Sequence, residues 1–321
     1  MKTFTRLLKN FILLSIPMVL VSIYTFVNPM GYMSVEYAMW AEERDALKSD
    51  VSAVDTLIIG DSRAKSSVIP AEISGEGDVY NIAVGGATSI EMYYAVREYL
   101  KNHAAPERAF VIFAPYHFCD IDNWQQTQYY NYLSLPELAE TECNAVKYAE
   151  YRISYRGALA DALSFRLRLP NKYMDALISA RGNGNLQENR AKYESVREEA
   201  GYTAFGEDEY NDELNYEAHK TEFDLSPMVD SYYRKMLDLL YSSGVEVIIE
   251  QAPVNRASDK ETDENFYQGY ASYMNDIEKS YPGTVVVKDV PVYDNSCFGD
   301  NNHMNRRGAE KYSRELAAKY Y

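Results

Sequence analysis

The run Val54-Asp55-Thr56-Leu57-Ile58-Ile59 stops at Gly60-Asp61-Ser62-Arg63, while Asp300-Asn301-Asn302-His303 stands near the other end of the chain. The apolar run reads as a buried strand, so Ser62 sits at a strand mouth. A serine hydroxyl is a weak nucleophile alone and needs an adjacent base and a carboxylate that orients the base. The residue types for that chemistry occur in the order Ser, Asp, His. A fold that uses them must bring the two ends together.

An alternation of short apolar runs and helical patterns offers such a fold. Strands are expected at 54–59, 79–83, 109–114, 245–251 and 284–287. Helices are expected at 89–102 with Ser89 as N-cap, at 227–243 closed by Gly244, at 263–279 and at 305–321. This pattern implies a parallel sheet of about five strands covered on both faces, an α/β class. Active residues in such sheets lie at the carboxyl ends of strands, where Ser62, Asp300 and His303 all fall. Residues 120–225 lose the alternation and read as a mostly helical insertion or cap. The body spans 51–321, and 35–50 reads as a charged helical stalk.

The N-terminus is of another kind. Lys2, Arg6 and Lys9 precede an uncharged stretch from Asn10 to Ser34, almost wholly apolar from Phe11 to Val27. It reads as an uncleaved membrane anchor within 1–34, its basic flank cytoplasmic and the rest extracytoplasmic. A cleaved signal peptide is the alternative, but Tyr24, Phe26 and Asn28-Pro29 make poor substitutes for a small-residue cleavage site. Pro17 is tolerated in a spanning helix and costly in a soluble one. The net charge of −16 argues against nucleic acid as a partner. Cys119, Cys143 and Cys297 allow at most one internal disulfide and have no metal-ligand spacing. No phosphate-binding glycine loop or metal motif is present, so no cofactor or metal is expected.

The Gly60-Asp61-Ser62 and Asp300-x-x-His303 blocks, in this strand context, resemble those of the SGNH (GDSL-like) hydrolase superfamily. Its second block, N-x-G-x-x-G, is similar to Asn81-Ile82-Ala83-Val84-Gly85-Gly86, with Ala83 in place of a glycine. Its third block, G-x-N-D, has no counterpart in Phe113-Ala114-Pro115-Tyr116-His117. The resemblance covers roughly 54–118 and 226–321. It implies a flavodoxin-like three-layer fold, with Ser62 as nucleophile, His303 as general base and Asp300 orienting the ring. An anchor with a relaxed third block is most similar to the branch that acylates cell-surface polymers. That branch includes the DltD-like proteins of teichoic acid D-alanylation and the AlgJ/AlgX-like proteins of exopolysaccharide O-acetylation.

On that footing the oxyanion hole draws on the backbone N–H groups of Ser62 and Gly86, with the Asn81 side chain either a further donor or a loop brace. Arg63, His117 and Tyr116 are candidate substrate-binding residues, although an arginine so placed more often pairs with a structural acid and His117 suits a structural position at least as well. Trp124, Tyr129, Tyr130 and Tyr132 suit either a sugar platform or cap packing. Arg152, Arg156, Arg166 and Arg168 suit either phosphate groups or a solvated helix face. The expectation is a membrane-anchored serine acyltransferase working on O-acyl groups, most simply acetyl, of a cell-surface or secreted polysaccharide. A multi-pass membrane acyltransferase is the implied partner. The alternatives are an SGNH carbohydrate esterase and a non-catalytic module that binds glycan or the acyltransferase.

Overall fold

The computed structural model describes residues 2–73, 78–121, 123–153 and 158–321. Its centre is a five-stranded sheet of β1 (Thr56–Gly60), β2 (Val79–Asn81), β3 (Arg108–Phe113), β4 (Glu246–Gln251) and β6 (Val285–Val286). The spatial order is β2-β1-β3-β4-β6 and every pairing is parallel. A minor parallel pair, β5 (Val254–Asn255) with β7 (Val292–Tyr293), lies beyond β4. The expected strands are all present, although 79–83 and 284–287 pair over fewer residues.

Side chains alternate across the sheet and feed two cores. Leu57, Ile59, Val111, Phe113, Val247 and Ile249 belong to one. There α6 (Ser89–Asn102), α12 (Pro227–Ser242) and α14 (Glu264–Ser280) contribute Ile90, Met236, Met274 and their neighbours. Ile58, Phe110, Ile112 and Ile248 face the other. There α4 (Ser62–Ser67), α5 (Pro70–Ile73) and α15 (Arg306–Tyr320) contribute Ala64, Ile73, Ala309 and Leu316. Burial on both faces explains why the strands read as continuous apolar runs. Thr88, rather than Ser89, caps α6, because Glu91 completes a capping box with it.

The N-terminal helices are α1 (Lys2–Val27), α2 (Pro29–Tyr32) and α3 (Val35–Ala46). Within α1, Lys9–Val27 is long and apolar enough to cross a membrane. The stalk expected at 35–50 is corrected. Helix α3 buries Tyr37, Met39 and Trp40 against the body, and Glu42 and Glu43 are buried with them. The sequence misled because those two acids read as solvated charge. Tyr80 donates to Glu42 at 2.5 Å and Tyr132 to Glu43 at 3.0 Å, which lets the carboxyls go inside.

The insertion carries α7 (Trp124–Tyr129), α8 (Leu135–Lys147), α9 (Ala158–Arg166), α10 (Pro170–Ser179) and α11 (Leu186–Glu198). A short helix, α13 (Arg256–Glu261), follows β5. Trp124, Tyr130 and Tyr132 are buried, and Tyr129 stacks on Tyr173 with centroids 4.8 Å apart. Cap packing accounts for these rings, so they form no open sugar platform. The expected arginine patch is also dispersed. Arg152 pairs with Asp120 and Glu150, Arg168 is buried, and Arg156 lies outside the described residues. Cys119, Cys143 and Cys297 are free thiols.

Candidate active site

The parallel order reverses direction between β1 and β3, leaving a crevice at the carboxyl ends of these strands. Gly60 ends β1 where a Cβ would lie 1.9 Å from the Ile112 carbonyl, so a larger residue would push the strands apart. Asp61 follows, fully buried. Its Oδ1 accepts the Arg63 N–H at 2.8 Å, capping α4, and its Oδ2 accepts the Ala114 N–H at 2.7 Å. One carboxylate thereby fixes the turn after β1 to the turn after β3, with Ser62 as the first residue of α4.

Asp300 and His303 lie on a loop closed by a bridge between Phe298 and Met304 and by the Gly299 N–H donating to His303 O at 2.9 Å. Asp300 Oδ1 accepts the backbone N–H groups of Asn302 and His303, both at 2.8 Å. The same carboxylate meets His303 Nδ1 at 2.8 and 2.9 Å, and His303 Nε2 stands 2.8 Å from Ser62 Oγ. An ionised carboxylate only accepts, so Nδ1 carries the proton and the Nε2 lone pair faces the serine hydroxyl. Burial works to raise the Asp300 carboxyl, but the His303 ring and the two backbone donors outweigh it and hold it below its ordinary value. Phe205 packs on the imidazole with centroids 4.7 Å apart, limiting its rotation. Gly206 and Gly299 approach so closely that a Cβ on either would meet the other's backbone within 2.3 Å. The end of the insertion is thus pressed onto the loop that bears the histidine.

Ser62, His303 and Phe205 line a cleft of about 220 Å³, joined by Glu36, Arg63, Gly85, Gly86, Tyr116, His117, Asn123, Gln126, Tyr216 and Asn302. Gly86 has φ +69°, and a Cβ there would lie 2.6 Å from Asn123 Nδ2. The Asn123 side chain therefore lies directly over the Gly86 turn, and it makes no hydrogen bond to another described residue. Burial raises the Glu36 carboxyl above its ordinary range, against the opposing pull of Gln126 and His303.

The remaining expected site residues fall as follows. Asn81 is fully buried behind the Gly85-Gly86 turn and not in the cleft. Its amide donates to the carbonyls of Ala64 and Val68, at 3.0 and 3.1 Å, while its oxygen accepts the Ala83 N–H at 3.1 Å. Both amide hydrogens being spent, Asn81 acts as the brace rather than the donor, which corrects its oxyanion assignment. Arg63 bonds Glu217 at 2.5 Å and Asn302 at 2.8 Å, tying α4 to the insertion and to the histidine loop. Its Nη1 is buried with no hydrogen-bond partner among the described residues. His117 lines the cleft with Nε2 3.7 Å from Asp61 Oδ2. Tyr116 stacks on Tyr216 with centroids 5.0 Å apart.

Sequence reasoning missed Glu36, Asn123, Gln126, Phe205, Tyr216 and Glu217. All belong to the segments read as stalk and insertion, where no strand rhythm locates a residue. Asn123 alone left a trace, as an asparagine a few residues past the turn after β3. A larger groove of about 500 Å³, lined by Arg44, Tyr94, Arg97 and Arg166 among others, includes none of the triad residues. Among the described residues no group of three or more His, Cys, Asp or Glu is arranged to hold a metal. Neither a protein-family model nor a curated protein sequence matches the chain.

Proposed function

We propose that this chain is an SGNH-like serine enzyme that transfers a small acyl group through an acyl-Ser62 intermediate. The observation that carries this reading is the continuous relay from Asp300 through His303 to Ser62 at the sheet's switch point. The strand order matches the flavodoxin-like doubly wound pattern, which supports the fold implied by the resemblance. Ser62 Oγ attacks the acyl carbonyl while His303 Nε2 takes its proton, and Asp300 stabilises the imidazolium. The carbonyl oxygen becomes an oxyanion beside the Ser62 and Gly86 N–H groups and the Asn123 amide. Asn123 takes the place of the missing third block. Collapse expels the alcohol, His303 returns the proton to it, and an acyl-serine remains. A hydroxyl of the acceptor, deprotonated by His303, then attacks and releases the serine.

A cleft of about 220 Å³ suits an acetyl-sized ester better than a long acyl chain. Helix α1, with its basic flank, supports a single-pass anchor whose C-terminal body is extracytoplasmic. Acceptors on that side include polysaccharide hydroxyls, and a multi-pass membrane acyltransferase is a fitting source of the acyl group. Water as acceptor gives the esterase reaction with the same residues.

The test is to incubate the full chain with 4-nitrophenyl acetate and measure the intact mass. Wild type should release nitrophenol and show an acetyl adduct mapping to Ser62; Ser62→Ala should show neither, with a rate loss of about 10⁴-fold or more. A folded wild type that never acylates, on this or any activated acetyl ester, would favour a non-catalytic binding module.

A further inference from the structure

Exposed apolar side chains gather beside the end of α1. Leu159 and Leu163 on α9 are exposed, and Leu167 continues their line just past the helix. A spacing of four puts them on one face. Met174 and Ile178 repeat that spacing on α10 and are exposed as well. The inner faces are occupied, since Ala162, Phe165 and Tyr173 are buried. This helix pair therefore packs inward with one side and offers an uncovered apolar side outward.

The corner between the two helices is fastened to α1. Thr25 Oγ1 donates to the Arg168 carbonyl at 3.2 Å, and the Arg168 guanidinium donates to Thr25 O at 3.0 Å and to the Tyr32 hydroxyl at 2.8 Å. Its Cζ lies 5.9 Å from the Phe26 ring centroid. Just beyond α10, Gly182 O accepts the Tyr24 hydroxyl at 2.8 Å. Thr25 is two residues before Val27, where the apolar stretch ends, about 3 Å along the helix axis. An element bonded to Thr25 sits at the height where that stretch ends.

We propose that α9 and α10 form a second membrane contact, lying in the bilayer interface beside α1 with Leu159, Leu163, Leu167, Met174 and Ile178 among the acyl chains. The inference rests on reading α1 as an anchor. Lipid is the occupant because the corner that joins these two helices is bonded to the end of the span. Arg181 is exposed just past α10, and Lys172 pairs with Asp161 at 2.8 Å beside the leucines, charges that stay at the headgroup level when an amphipathic helix lies in the interface. A single helix would let the body swing; two contacts fix its orientation. Helix α3 leaves the same corner through α2 and carries Glu36 into the cleft, so the cleft is held at a set height above the lipid.

The test uses the full chain in phosphatidylcholine–phosphatidylglycerol vesicles, with Cys143→Ser to remove the exposed thiol. Single cysteines at Val19, Leu163, Ile178 and Tyr241 carry a nitrobenzoxadiazole label. All four positions are exposed, so substitution leaves the fold intact. Nitroxide on the lipid acyl chains should quench Val19, Leu163 and Ile178 several-fold more than Tyr241. Quenching at Val19, with Leu163 and Ile178 no different from Tyr241, overturns the second contact and leaves the anchor. Loss of quenching at Val19 as well overturns both. Labels at Leu163 and Ile178 that emit from a dry environment but escape lipid quenchers would put protein on this face and also overturn the proposal.

Discussion

Asp61 shows how much of the site depends on a residue that takes no part in the chemistry. It caps α4 and holds the Ala114 N–H, so the nucleophile turn and the turn after β3 move together. Beyond that second turn the chain reaches Asn123, whose amide lies over Gly86. If that amide receives the oxyanion, it binds the transition state more strongly than the ground state. Asn123→Ala should then lower kcat for acetyl-ester turnover by about 10²–10³-fold and leave KM within a few-fold. Steady-state kinetics on the purified variant, with a circular dichroism check of folding, measure this. A fall confined to KM would make Asn123 a binding residue and empty that part of the oxyanion hole.

At the scale of the element, α3 is the part of the molecule least legible in the sequence and among the most consequential. Burial pushes the Glu43 carboxyl up to about 8, against the Tyr132 hydroxyl and the nearby Lys65. Lys65 is itself buried, donates to Ala83 O at 2.9 Å behind the Gly85-Gly86 turn, and is lowered to about 8 by that burial. Between roughly pH 4.5 and 8 the folded chain keeps a proton on Glu43 that the unfolded chain releases. That stabilisation is complete below 4.5 and is lost as the pH rises through 8. Lys65 acts in the opposite sense above 8, where the unfolded chain holds the extra proton. The urea midpoint of the wild type should therefore fall from pH 5 to pH 8, and Glu43→Gln should fall less. Equal slopes in the two proteins would mean that Glu43 does not hold this proton. The strands were readable because a short apolar run between turn residues fits little besides a buried strand. The Gly60-Asp61-Ser62 and Asp300-x-x-His303 blocks were readable because each follows such a run or precedes a clear helix. Helix α3 was not, since two adjacent glutamates signal solvent unless the tyrosines that satisfy them, Tyr80 and Tyr132, are already known to be near. Asn123 and Phe205 were hidden for a related reason, because their places depend on how the insertion folds back over the sheet.

For the whole molecule, the boundary of the folded body follows from what α3 buries. The sequence alone suggests a body that begins at 51; the structure moves that start back to about 29. Removing residues 1–50 would strip Tyr32, Met33, Tyr37, Met39, Trp40 and Leu47 from the core. Each large apolar side chain contributes about 1.5–3 kcal/mol on burial, so the loss for the six is about 9–18 kcal/mol, at least comparable with the whole stability of an ordinary domain. It would also leave Lys65 inside without Glu42 and Glu43, and remove Glu36 from the cleft. A chain starting at Pro29 loses α1 and the bonds made by Tyr24 and Thr25, but keeps α3 and every side chain that lines the cleft. The chain from Pro29 should therefore unfold cooperatively and retain acetyl-ester turnover. The chain from Val51 should aggregate or melt without a cooperative transition. Thermal denaturation of the two truncations followed by circular dichroism separates these outcomes. A cooperative transition at the same temperature in both would mean that α3 hangs from the body as a stalk after all, and that Glu36 is no part of the site.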